Sequence, residues 1–395
     1  MKTNPRNRDD PHEVVLLIHR AMPITEIGSI LLSLCATEPP SPDAASLKGI
    51  DTTELIRLAN RHGVLPLVSR ALSGFSSEAE LERDRGHAMK RALVFTAELI
   101  RILDVLSKAG IQAIPLRGPV IGQLLYGDAA AREFSDLDIL VRREDVMRVI
   151  EALLASSFRL QSPRPVQREC SLRWGFEISL QRDPKGASVD VHWEIGPGYY
   201  PFTLPAGAMW SALQTISFER RPVPFPSPEC LLLTLCIHGA KHHWERLMWL
   251  CDVERLVAKG GIDWEEAAGS AAAWHCRRPL LLGLCLAHEL LGAEVPDAML
   301  EEARRSPSIG ALAGQVRERM FSDDAGAYSA LESCSFHFRL AGFRGGLRYA
   351  LGVLLIPTDA DWNWVALPRG LRWLYYPLRP IRMAWKYASA PRKQS

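Results

Sequence analysis

Three aspartates and one glycine turn carry the chemistry available to this chain. Asp136 and Asp138 stand two residues apart in SDLDILV, and Asp190 follows about 50 residues later in SVDVHW. Side chains alternate faces along a strand, so Asp136 and Asp138 point one way while Leu137 and Ile139 point into a core. Asp190, flanked by Val189 and Val191, adds a third carboxylate if its strand lies beside the first. Three crowded like charges are unfavourable unless a cation neutralises them, and an oxygen-only ligand set suits Mg²⁺ or Mn²⁺. A pair of such metals serves phosphoryl transfer. Upstream, Leu116-Arg117-Gly118-Pro119 ends a strand and opens a helix, with Pro119 suited to the first helical position. Free N–H groups at a helix start attract phosphate, and a glycine lets it approach the backbone. Arg117 and Arg132 add guanidinium groups matched to phosphate oxygens; both equally suit surface ion pairs.

Other residues extend this constellation. His192 shares the face of Asp190 and is placed either to contact the acceptor or a phosphate, or to serve as a structural hydrogen-bonding group. In HGAKHHW, His238 and His242 fall one helical turn apart, but no third ligand stands at a recognisable spacing and H-E-x-x-H is absent, so zinc is not expected. Lys241 offers a cation to a triphosphate, while Trp244, Leu247 and Leu250 pack the helix. Asp252 caps or pairs locally.

The elements that must position these groups form an α+β pattern. Periodicity predicts helices over residues 47–72, punctuated by Gly63 and Pro66, and over 78–108, so residues 1–108 read as a helical N-terminal region. CATEPPSPDAASLK, residues 35–48, reads as a loop or linker. Residues 109–200 read as a mixed core: a short strand in IQAIPLRG, a helix in VIGQLLYG, a strand in LDILVRR, a helix over 144–156, then two strands joined by an Asp183-Pro184-Lys185-Gly186 turn. Residues 201–340 read as helical, with one helix from about Cys230 to Ala258 and another from Trp274 to Leu291. A basic aromatic tail occupies 341–395.

Composition narrows the class. The chain has 395 residues, 47 Lys and Arg against 45 Asp and Glu, and 47% apolar residues. That length allows two or three packed units, and the near-zero charge balance excludes a global field of the nucleic-acid- or membrane-binding kind. A local patch remains. The tail sets nine basic residues against Asp359 and Asp361, interleaved with Trp362, Trp364, Trp373, Tyr375, Tyr376, Trp385 and Tyr387. That interleaving fits peripheral contact with a membrane or a phosphate-rich partner; the competing reading is a terminal helix packed on the body with its arginines outward. The eight cysteines form no C-x-x-C pair and read as buried thiols of a reducing cytosol, so a cytoplasmic location is expected. The apolar stretch Val14–Ile18 is too short for a signal-peptide core, and the longest apolar runs are too short to span a bilayer.

In order, Leu116-Arg117-Gly118, then Tyr126-Gly127-Asp128…Arg132…Asp136-Leu137-Asp138-Ile139-Leu140-Val141, then Val189-Asp190-Val191-His192-Trp193 resemble the DNA polymerase β-like nucleotidyltransferase superfamily, and within it a branch of uncharacterised nucleotidyltransferases. HGAKHHWERLMWLCDVERL is similar to that branch's helix after the core. The resemblance spans about residues 50–260. It implies a small mixed β-sheet nucleotidyltransferase core flanked by helical regions, and an Mg²⁺- or Mn²⁺-dependent enzyme that moves an NMP from an NTP such as ATP to a hydroxyl acceptor, releasing pyrophosphate. Asp136, Asp138 and Asp190 would be catalytic and hold the metal; Arg117, Gly118, Arg132 and Lys241 would bind the nucleotide. The acceptor, whether small molecule, protein or nucleic acid, is left open. Gly118-Pro119 replaces the superfamily's usual Gly-Ser, which removes a hydroxyl contact to phosphate. That departure motivates the alternative of a catalytically inactive nucleotide- or metal-binding scaffold or regulatory protein.

Overall fold

A computed structural model describes residues 24–37, 51–73, 79–161, 165–182, 186–322 and 328–388. Most of the expected linker and of the Asp183–Gly186 turn lie outside the described residues, as do Val14–Ile18 and the basic residues Arg392 and Lys393.

The first described residues form helices. Glu26–Cys35 is capped by the Thr25 hydroxyl, and Thr52–His62 starts where the Asp51 carboxylate accepts from the Glu54 N–H. That helix stops at Gly63, whose φ of 68° is readily adopted only by a residue without Cβ. Leu65–Ala71 and the long helix Ala79–Lys108 follow. Their buried faces, including Leu55, Leu99, Ile102 and Leu106, join one hydrophobic cluster with the sheet and the later helices.

Among the described residues the main sheet has five strands: β1 (Ala113–Pro115), β2 (Asp136–Val141), β3 (Phe158–Leu160), β4 (Glu177–Arg182) and β5 (Ser188–His192), in the order β1-β2-β5-β4-β3. β2 and β5 run parallel; the other pairs are antiparallel. Leu137, Ile139, Val189 and Val191 are fully buried on one face, which leaves the alternate residues to the other. The helix Pro119–Tyr126 links β1 to β2, and Val146–Ala155 leads to β3. The arrangement is α+β, as the residue pattern indicates.

Two elements differ from that pattern. Residues 213–226, expected to be helical, form the hairpin β6 (Leu213–Phe218) and β7 (Arg221–Pro226). Pro222, Pro224 and Pro226 hide β7 from sequence reading, because proline cannot donate to a ladder. Here they alternate with Val223 and Phe225, which are buried. The turn residues Glu219 and Arg220 take φ of 49° and 61° without a glycine to signal it. The expected helix from Cys230 to Ala258 is two helices, Pro228–Lys241 and Leu247–Lys259. His243 and Trp244 both take φ of 56°, turning the Trp244 indole back into the core. It packs against Gly239 and Gly283; a Cβ on Gly283 would lie 2.9 Å from the ring and 2.7 Å from Cys236 Sγ. Burying the largest side chain type outweighs helical continuity. The helix Arg277–Leu291, which follows Trp264–Ala273, runs beside both.

The C-terminal part contains Ala330–Leu355, kinked at Gly342, then Asp359–Trp364, a 3₁₀ segment Arg369–Leu374 and Tyr375–Ala388. It closes a second small core in which Trp362 and Tyr375 surround Cys170 and Trp174. Only part of the outward arrangement holds: Arg379 and Arg382 turn inward onto the buried Asp361 and Arg372 onto Glu169, whereas Arg369 meets Glu169 while staying 79% exposed and Arg344 and Arg348 face outward. No described helix is long and apolar enough to cross a membrane. Seven of the eight cysteines are buried.

Candidate active site

Strand register decides which carboxylates meet. Asp138 lies directly opposite Asp190 across the parallel β2–β5 pair, and Asp136 opposite Ser188. Residues two apart on one strand share a face, so Asp136, Asp138, Asp190 and His192 all project from the same side. On the far side of β5, Glu177 pairs with His192 and Ser179 with Asp190. Glu177 is a member of this face that sequence reasoning missed. Its signal was available in the alternation of Glu177, Ser179 and Gln181 with Ile178 and Leu180, but placing it needs the hairpin register.

Asp138 is the most enclosed of these acids, with a side-chain exposure of 4%. Arg117 grips it with both ends of the guanidinium, Nε to Oδ2 at 3.0 Å and Nη2 to Oδ1 at 2.8 Å. His192 Nε2 lies 2.9 Å from Oδ1. Burial opposes its ionisation, but the Arg117 and His192 contacts hold its carboxyl well below the usual carboxylate range. Asp136 goes the other way: burial and the neighbouring charges of Asp138 and Asp190 push it up, against the pull of Arg117. Burial likewise raises Glu177 in spite of His192 and Lys241. His192 Nδ1 approaches Glu177 Oε2 at 3.2 Å without hydrogen-bond geometry, which leaves it buried and unbonded.

Positive groups face this set. The other guanidinium nitrogen of Arg117 donates to His238, whose pKa burial and Arg117 drive far down, so that its neutral ring accepts. His238 meets the Trp249 ring edge-on and His242 meets it tilted, at centroid distances of 5.2 and 5.3 Å. Lys241 lies over the Phe176 ring, its Nζ 5.0 Å from the centroid, and burial lowers its pKa while Glu177, Asp138 and Asp190 raise it. Gly118, at the start of the helix Pro119–Tyr126, has φ 74° and ψ −137°. A Cβ there would sit 3.6 Å from the Asp136 carbonyl oxygen, so this turn rests against the strand that carries the aspartates.

Arg132 stands apart from this set, its guanidinium taken up by Asp252. Its Nε and Nη2 bind both oxygens of Asp252 at 2.9–3.0 Å, and Tyr126 donates to the same carboxylate at 2.7 Å. Side-chain exposures of 4% and 0% show the pair to be interior. Asp252, expected to act locally, thus ties the helix Leu247–Lys259 to the loop before β2. Among the described residues, no group of three or more His, Cys, Asp or Glu side chains converges as it stands to hold a metal ion.

A mixed sheet that sets two aspartates of one strand beside a third on its parallel neighbour, next to a strand–glycine–helix turn, defines a nucleotidyltransferase-like α+β protein. The chain belongs to the family of uncharacterised nucleotidyltransferases, which it matches over residues 48–292. No curated protein matches it significantly. Among solved structures it is similar to an antigenic nucleotidyltransferase-like protein from Paracoccidioides brasiliensis, at 15% identity and a TM-score of 0.30, over 53% of this chain and 97% of that one. A superposition so loose transfers no property.

Proposed function

We propose that this chain is a metal-dependent enzyme that transfers a nucleoside monophosphate from an NTP to a hydroxyl acceptor, with release of pyrophosphate. The observation that carries the reading is the register of Asp138 against Asp190, with Asp136 on the same face. The donor chemistry suits Mg²⁺ or Mn²⁺: three carboxylates carried on one face of two adjacent strands, an oxygen-only set. Asp136, Asp138 and Asp190 would hold the metal, which when bound supplies charge neutralisation of the phosphates and activation of the acceptor hydroxyl. Arg117, Lys241 and the helix start at Gly118 bind and orient the triphosphate. Burial of Asp138 and His192 keeps water from the acceptor side, and His192 holds the Asp138 carboxylate in place. Arg132 acts at one remove, fixing the loop into β2 through Asp252.

One observation favours the second reading, a site that binds without turnover: Arg117 and His192 already satisfy the Asp138 carboxylate. Incubation with each α-³²P-labelled NTP, Mg²⁺ or Mn²⁺ and cell extract separates the two. Label transferred by the native chain but not by Asp190→Asn supports transfer; nucleotide binding without any labelled product supports the scaffold.

A further inference from the structure

Both C-terminal helices carry an exposed apolar stripe, and the last one also turns its charge inward. In Tyr375–Ala388 the charged side chains Arg379 and Arg382 turn inward onto Asp361, and Arg379 Nε also donates to the Val353 carbonyl of the preceding long helix at 2.7 Å. The outward positions Pro377, Ile381 and Trp385 recur at i, i+4, i+8, and Ile381 and Trp385 are 58% and 62% exposed. Beyond the Gly342 kink, Phe343, Leu347, Leu351 and Leu354 form a second exposed stripe at i, i+4, i+8, i+11, with Phe343 76% exposed. Trp373, between them in sequence, is 61% exposed. A helix in water normally presents the opposite faces. Patches of this kind mark docking surfaces.

Charge identifies the occupant. Among the side chains described from Ser333 to Trp385, the exposed charged ones are Arg339, Arg344, Arg348 and Arg369, all basic, and Asp361 is buried under two arginines. A second copy of this face would bring two positive surfaces together, which disfavours a symmetric dimer. The leucine stripe offers nothing to the stacked bases of a nucleic acid, and four of the arginines are held by Asp361 and Glu169. Exposed indoles, aliphatic residues and a basic rim at Arg344 and Arg348 match the headgroup region of an anionic bilayer, where indole sits at the interface and arginine meets phosphate. We infer that the exposed apolar face of residues 343–385 docks the protein onto the surface of an anionic lipid bilayer, lying on it without crossing.

The test is co-sedimentation of the full chain with vesicles of phosphatidylcholine mixed with phosphatidylserine, and of phosphatidylcholine alone. The expected result is binding to the mixed vesicles, weaker binding to neutral ones, and partial loss with salt. The double variant Ile381→Ser, Trp385→Ser should lower the bound fraction about tenfold or more, because each removes a large apolar contact. Phe343→Ser on the other helix repeats the test independently, and Met89→Ser, exposed on the helix Ala79–Lys108, should leave binding unchanged. Melting curves confirm that the variants fold. Absence of binding to the mixed vesicles overturns the proposal, as does unchanged binding by both helix variants. A dimer in sedimentation velocity that Ile381→Ser, Trp385→Ser dissolves assigns the face to a second copy and overturns it equally.

Discussion

Asp138 and Asp190 are direct neighbours across two parallel strands, yet a guanidinium clamps only Asp138. Arg117 thereby compensates Asp138, whereas burial and the charges of Asp138 and Asp190 push Asp136 up against a weaker pull from the same guanidinium.

That division predicts opposite effects of two similar substitutions. Like-charge crowding alone would have Asp138→Asn relieve repulsion; the Arg117 contact reverses this, because the change leaves a mostly buried guanidinium unpaired. We expect Asp138→Asn to cost roughly 3 kcal/mol of stability and to abolish transfer. Asp136→Asn should match or exceed the native stability while also abolishing transfer. Urea unfolding of both proteins without metal checks the pair, and equal stabilities would refute the role given to Arg117.

The interior pair of Arg132 and Asp252 makes a second prediction. Asp252→Ala strands a buried guanidinium and the Tyr126 hydroxyl, and should cost about 3–5 kcal/mol. Arg132→Lys cannot reproduce the two-pronged contact and should fall between native and Asp252→Ala. Denaturant midpoints would reveal this order; an Asp252→Ala protein as stable as the native one contradicts it.

At Gly118 the space for a methyl group exists, so the expected effect comes from the backbone. With φ 74° and ψ −137°, alanine is strained by about 1–3 kcal/mol, and the start of the Pro119–Tyr126 helix should shift. Gly118→Ala is predicted to weaken NTP binding more than it slows turnover. Isothermal titration with a non-hydrolysable NTP reads the first effect directly.

Acid should destabilise the protein through its histidines. Burial above all pushes His62 and His337 down to about 4, and His242 and His243 down to about 3. Their folded values lie below the ordinary one, so the unfolded chain takes up protons first as pH falls. The stability they contribute is complete above about pH 6.5 and declines toward pH 4, each histidine giving a slope of up to about 1.4 kcal/mol per pH unit. Urea midpoints taken near pH 7 and near pH 5 should differ markedly; a flat profile would count against neutral burial of these rings.

The sequence by itself determined the local parts of this protein. Alternation of Asp and aliphatic residues makes SDLDILV a strand with a polar face, Gly118-Pro119 opens a helix, and Asp51 and Gly63 bracket another, because these signals act over a few neighbouring residues. Partnerships over long separations were decided only by tertiary structure. Arg132 meets Asp252 across 120 residues and Arg117 meets His238 across 121, and no local spacing encodes either contact. The break at His242–Arg246 follows from the room that Gly239 and Gly283 leave for Trp244, which exists only once two helices are packed. The same holds for the C-terminal arginines: their number is written in the sequence, but whether they face water or Asp361 depends on which surface the folded body offers them.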